Sequence, residues 1–443
     1  MQDWETTFNQ LIDALLPQLN PNEAAKITLI AEDSHFTRFN QAKVRQTGSV
    51  MNGSLRLTLM AQQRVAAESM SFTGEKETDW PLLMTALANL REELQHLPED
   101  PYLVLPEGDA QSREVYAGQL LSAEAVVPTL LPPLAGLDAA GLYAGGRSVR
   151  AYADSAGQRH WFETETFTLD YSLFIDSGQA VKGTYAGRNW ENAAYSETLE
   201  ASKTLLAQMS QTPKVLERGQ YRTYFAPAAV ADLLSMLSWG GIGEASIRRG
   251  GSALAPLQRQ ERTLAPQLNL TEDFSQGQVP RFNQYGELAP LTMPLIVSGQ
   301  LVNSLVSART AKEYNIPSTY AEGGEYLRSP RLSPGSLAAS DALAALDTGL
   351  YVSNLHYLNW SDRPNGRITG MTRYACFWVE KGAIVAPIEN LRFDESLYNF
   401  WGNHLVDLTQ ETTFVPEVGS YGYRDLGGMM VPGMLVNNFA YTL

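Results

Sequence analysis

Residues 221–252, YRTYFAPAAVADLLSMLSWGGIGEASIRRGGS, decide how the chain is organised. The stretch opens with a strand-like run, Tyr221 to Phe225. Pro227 then falls at the first position of a helix, where its missing N–H costs nothing. Val230, Leu233, Leu234 and Leu237 follow at i, i+3, i+4 and i+7, which gives the helix one apolar face. Gly240, Gly241 and Gly243 end it, because glycine tolerates the left-handed backbone that closes helices. The stretch therefore reads as a strand, a helix buried on one face, and a glycine-rich turn. A metallopeptidase helix would carry two histidines about a turn apart, with a glutamate beside the first to activate water. Residues 227–239 contain neither histidine nor glutamate.

The chain has 443 residues, enough for two or three domains with sizeable cores, and its 44% hydrophobic and 18% charged residues give an ordinary globular balance. Lys and Arg number 33 against 48 Asp and Glu, a net charge of −15. Nucleic-acid affinity rests on neutralising phosphates, so this balance argues against a nucleic-acid partner. The single cysteine, Cys376, rules out a disulfide framework within the chain, and its apolar run ACFWV suggests a buried thiol. The N-terminal MQDWETTFNQ is acidic where a secretory leader would be basic, and no apolar run approaches the roughly 18 residues of a membrane span. The expectation is a cytoplasmic protein without a membrane partner.

Working outward from the central stretch, residues 4–16 read as an amphipathic helix ended by Pro17. Lys26 to Glu32, Phe36 to Phe39, Lys43 to Ser49, Leu55 to Leu59 and Arg64 to Ser69 read as strands of an antiparallel run, with a turn at Asn40 and Gln41. Leu83, Leu87, Leu90 and Leu94 mark a helix covering that sheet. Residues 97–137 are rich in proline, which excludes long helices and central strands. Val149 to Tyr185 returns to strands, with Phe167, Leu169, Tyr171 and Leu173 alternating cleanly and a hairpin loop at Asp176 to Gln179. Tyr185, Arg188 and Trp190 either face a ligand or close a sheet edge. Glu197 to Met209 is helical. Beyond the central stretch, hairpins turn at Ser298-Gly299 and Lys381-Gly382, Ser340 to Leu346 forms a short helix, and Leu397, Phe400, Trp401 and Leu405 suggest another.

Local chemical motifs are few. The five histidines lie too far apart in sequence to form a ligand pair, there is no G-x-S-x-G elbow or P-loop, and the glycines of GGIGEAS end a helix rather than begin one. Arg248 and Arg249 beside a glycine turn could grip a carboxylate such as a peptide terminus, or form a solvated or ion-paired loop. Ser235, Ser246 and Cys376 are the nucleophiles open to a hydrolase reading.

Five blocks in order resemble the TldD/PmbA family, on its PmbA (TldE) side: YFAPAAVADLLSMLSWGGIGEASIRRGGSAL, PRFNQYGELAPLTMPLIVSGQLVNSLVSARTAKEYN, TGLYVSNLHYLN, RYACFWVEKGAIVAPIENLRF and VPGMLVNNFAYT. The N-terminal FTRFNQAKVRQTGSV also resembles that family's first sheet. The resemblance implies an α+β protein: an N-terminal mixed sheet with covering helices over residues 1–214, and a β-rich C-terminal domain around a central helix over 215–443. TldD-type members carry an HExxxH helix and a later cysteine as zinc ligands. Matched by position, the histidines fall on Ser235 and Gly240, the glutamate on Met236 and the cysteine on Val418. The resemblance thus implies no metal and no catalytic residue in this chain, with zinc only in a TldD-type partner. It implies a subunit of a cytoplasmic metallopeptidase complex, historically labelled a modulator of DNA gyrase, that degrades or processes unfolded peptides. In it this chain would shape the chamber and offer strand edges to an extended substrate. The alternative is a homodimeric, non-enzymatic peptide-binding or scaffold protein.

Overall fold

The computed structural model describes residues 3–442. Two sheets dominate it, as the α+β expectation requires. The first has seven strands, and Ala24–Asn40 lies between Lys43–Ala61 and Asp138–Asp154. Arg159–Phe174 follows, paired antiparallel to Asp138–Asp154 and Ala180–Gly187 and parallel to the short Gln111–Tyr116. Strand alternation gives this sheet two distinct faces. Ile27, Leu29, Leu55, Leu57, Val149 and Ala151 point to one face and are buried beneath the helices Trp4–Leu15 and Lys76–Leu94. Further along the same face, Tyr143, Phe167, Leu169 and Tyr171 pack beneath Ala123–Leu130 and Asn192–Met209. Tyr185 and Trp190 join this aromatic cluster, with ring centroids 5.1 Å apart, and Arg188 lies over the Tyr116 ring. They close the sheet.

The chain passes to the second sheet between Gly187 and Gly219. That sheet has 13 strands and is centred on Gly428–Tyr441, which pairs with Gly219–Phe225 and Leu405–Pro416. The central helix, Pro227–Ser235, continues as a 3₁₀ turn, Met236–Ser238. Its Val230, Leu233, Leu234 and Leu237 are all buried, packed with Phe225, Phe393, Val436 and Phe439. Gly240 adopts φ +72°, the left-handed backbone that lets Gly241 N donate to Leu237 O. Both anticipated hairpins turn where expected, with φ of +49° and +74° at Ser298 and Gly299 and +50° and +76° at Lys381 and Gly382.

Several elements differ from the sequence reading. Lys26–Glu32 and Phe36–Phe39 are one strand, Ala24–Asn40, and its turn falls at Gln41-Ala42, both at positive φ. Lys43–Ser49 and Leu55–Leu59 are likewise one strand, Lys43–Ala61. The proline-rich region holds a short edge strand and an eight-residue helix with Pro128 inside it. Leu405 begins a strand, and the preceding aromatic residues form a π-turn, Asn399–Asn403.

The face of the first sheet away from its helices receives the loop that precedes Gly428–Tyr441. Arg424 is 3% exposed. Its guanidinium donates to Ser34 Oγ (2.8 Å), to Gly146 O (2.8 Å), to Ser148 Oγ (3.0 Å) and to Thr166 O and Oγ1 (both 3.1 Å). Glu32 lies 3.6 Å away, equally buried, and its Oε2 also accepts from the Arg424 backbone N–H. Removing one member of such a pair strands a buried charge. Arg424→Ala is expected to cost about 3–5 kcal/mol of stability, read as a lowered urea midpoint. The double variant Arg424→Ala/Glu32→Gln should recover part of that loss. A midpoint unchanged by Arg424→Ala would show that the contact does not hold the two sheets together.

Candidate functional site

A cleft of about 780 Å³ separates the two sheets. One wall is the polar face of the first sheet. Thr28 stands opposite Tyr152 and Ile30 opposite Arg150 in the strand register, and all four line the cleft. The other wall is the end of the central helix, Ser235, Ser238 and Trp239, together with Tyr326 to Arg328. Glu417, Asp425 and Leu426 stand at the end of the cleft formed by the loop that Arg424 anchors. Trp239 is 59% exposed and Ile30 37%, so apolar surface faces the opening.

The charged groups of the cleft differ in how well they are paired. Arg328 donates to the carbonyls of Pro280, Arg281, Phe282 and Tyr320 and lies 3.8 Å from Glu322. Burial raises the pKa of Glu322, and Arg328 offsets part of that rise. Burial, reinforced by neighbouring Asp425, raises that of Glu417. Burial brings the Arg150 guanidinium down to about 10, so it remains charged at neutral pH. The Tyr326 hydroxyl is raised by burial and then by Glu322.

Arg248 and Arg249 do not line this cleft. Arg248 Nε donates to Glu244 Oε1 at 2.6 Å, and its guanidinium lies over the Tyr314 ring. Arg249 projects from the same turn into solvent. Ser235 Oγ donates to Asp232 O and Ser246 Oγ to Gly240 O, so both hydroxyl protons are committed to backbone carbonyls rather than to a general base. Cys376 is buried, donates to Arg373 O, and is raised to about 11 by burial, conditions that favour an unreactive thiol.

A family model for the PmbA/TldA metallopeptidase C-terminal domain matches residues 218–442, just over half the chain. The chain belongs to the TldD/PmbA family. Three solved structures share its fold. TldE from Thermococcus kodakarensis aligns with a TM-score of 0.81 at 14% identity, covering 99% of this chain and 100% of that one. A candidate modulator of a DNA gyrase from Thermotoga maritima aligns at 0.77 and 13%, covering 99% and 100%. Another, from Bacteroides thetaiotaomicron, aligns at 0.78 and 14%, covering 99% and 98%. Comparison with curated proteins found none that matches.

The TldD/PmbA resemblance assigns zinc-ligand positions to Ser235, Gly240 and Val418, and the residues there do not suit zinc. Ser235 lines the cleft, but its hydroxyl is turned to Asp232 O. Gly240 has no side chain, and a Cβ there would lie 2.8 Å from the Arg363 Nη1, a fixed positive charge. Val418 is aliphatic and exposed beside Glu417. Met236, at the glutamate position, is buried in the core. Among the described residues, no group of three or more His, Cys, Asp or Glu side chains is placed to hold a metal.

The cleft residues Arg150, Glu322, Trp239 and Glu417 were not singled out in the sequence. Arg150 carried a usable signal: it alternates with the apolar Val149 and Ala151, on the face where Ser148 and Tyr152 also stand.

One carboxyl on the central helix sets a pH dependence. Asp232 Oδ2 accepts from Leu355 N at 2.9 Å, and burial raises its carboxyl from 3.8 to about 7. Its folded-state pKa lies above the unfolded value. The associated stability is therefore complete below about 3.8 and is lost as pH rises through about 7. Asp232→Asn keeps the acceptor and removes the titration. The unfolding free energy of the variant relative to wild type, read from urea titrations, should climb between pH 5 and pH 8 by an amount on the order of a few kcal/mol. A constant difference across that range would contradict the assignment.

Proposed function

We propose that this chain is a PmbA/TldE-like partner subunit in a cytoplasmic TldD-type metallopeptidase complex. In that complex it holds unfolded peptide in the cleft between its sheets and supplies no zinc of its own. The carrying observation is the end of the central helix. It opens directly into the cleft at Ser235, while Gly240, further along the chain at the glycine turn, is faced by Arg363. A site built this way can bind and orient an extended chain through apolar wall residues and a few fixed charges. It offers no nucleophile–base pair and no ligand set for activating water. Peptide-bond hydrolysis would then fall to the zinc of the partner, and the contribution of this chain would be the shape and charge of the chamber.

Native mass and zinc content, measured on this chain alone and after mixing with a TldD-type protein, test the reading. The expected result is substoichiometric zinc and no peptidase activity for the chain alone, and a new mixed complex that degrades an unfolded peptide. Stoichiometric zinc together with peptidase activity in the isolated chain would overturn it. A stable self-dimer that ignores the TldD-type protein would favour a scaffold instead.

A further inference from the structure

Arg150 stands out among the charges of the cleft because its carboxylate partner is missing. One guanidinium N–H donates to Val149 O at 2.9 Å and another reaches Arg424 O at 3.4 Å. No carboxylate oxygen among the described residues lies within 4.0 Å of it. The nearest buried carboxylate on the same sheet face, Glu32, is committed to Arg424 and to Ser34, whose hydroxyl donates to it at 3.0 Å. Two guanidiniums thus share one buried carboxylate, and Arg150 is the one left facing the cavity. Burial has already lowered its pKa, so the charge is held at a cost that an incoming anion would reduce. Asp425, on the loop side of the cleft, stabilises the Arg150 charge from a distance but makes no ion pair with it.

Arg150 lies opposite Ile30, with Tyr152 two residues further along its strand. A planar fork of N–H donors flanked by apolar surface suits a carboxylate attached to an organic chain better than a free inorganic anion. We propose that Arg150 is the carboxylate anchor of the cleft, so that the peptide bound there ends on it through its C-terminal carboxylate or an acidic side chain. This rests on the peptide-binding reading given above and adds a selectivity to it.

Calorimetric titration of the full-length protein with unlabelled, unstructured peptides tests the anchor. Three peptides of one sequence are needed: one without Asp or Glu and with a free C-terminus, the same peptide amidated, and the amidated peptide with one Glu introduced. The free acid is expected to bind at least about tenfold more tightly than the neutral amide. Recovery of affinity by the Glu peptide would mean that side-chain carboxylates also serve, and no recovery would identify the C-terminus as the source. Arg150→Gln should erase the preference, and Arg150→Lys, with an unchanged melting temperature, should keep part of it. Equal binding of free acid and neutral amide by wild type, or a preference that survives in Arg150→Gln, would overturn the anchor and leave the peptide-binding reading standing. Binding of none of the peptides by wild type would overturn both.

Discussion

A buried guanidinium joins the two sheets, beside the apolar packing of Tyr152 and Phe162 against Phe282. Arg424 reaches from the second sheet's loop onto the polar face of the first, and Ser34, Ser148, Thr166, Gly146 and Glu32 are arranged to receive it. A guanidinium has five N–H donors and cannot shed its charge at neutral pH, so burying it is tolerable only when its donors are met and a carboxylate stands nearby. This requirement accounts for the polar residues in the middle of long strands. It also fixes the loop carrying Glu417, Asp425 and Leu426, and with it one end of the cleft.

The same requirement explains where the sequence was legible and where it was not. The central helix could be read because its only task is to bury one face, and i, i+3, i+4 spacing records that directly. Ala24–Asn40 looked like two strands because Asp33, Ser34 and His35 break the apolar run. Their neighbours are polar because the other face meets Arg424 rather than solvent, a contact some 390 residues away in the chain. The start of Asp138–Asp154 was hidden by glycines that let strands approach closely. At Gly146, φ is +150° and a Cβ would lie 2.1 Å from Asp33 O. Leu405 fitted helical spacing with Leu397 and Trp401, but pairing with Val436 drew it into the sheet. Such long-range contacts override local pattern.

The cleft was the least legible part, since its walls come from six separate segments that only folding brings together. What sequence offered instead was negative: a helix without histidine or glutamate. The structure gives that absence a physical setting. The helix end still opens into a cavity, with Ser235 on its wall, where Trp239, Ile30 and Tyr326 supply apolar surface and Arg150 and Glu322 supply charge. Arg248, the more conspicuous arginine in sequence, is tied to Glu244 on the far side of the glycine turn, while Arg150 lines the cleft without a carboxylate in ion-pair contact.

The account depends on the cleft being where peptide binds. Hydrogen–deuterium exchange of the intact protein, with and without a saturating unfolded peptide, addresses this most directly. Protection is expected in segments 26–32, 148–152, 235–241, 279–284, 322–328 and 417–429, and not on the helix-covered face of the first sheet. Protection confined to surfaces outside the cleft would contradict it.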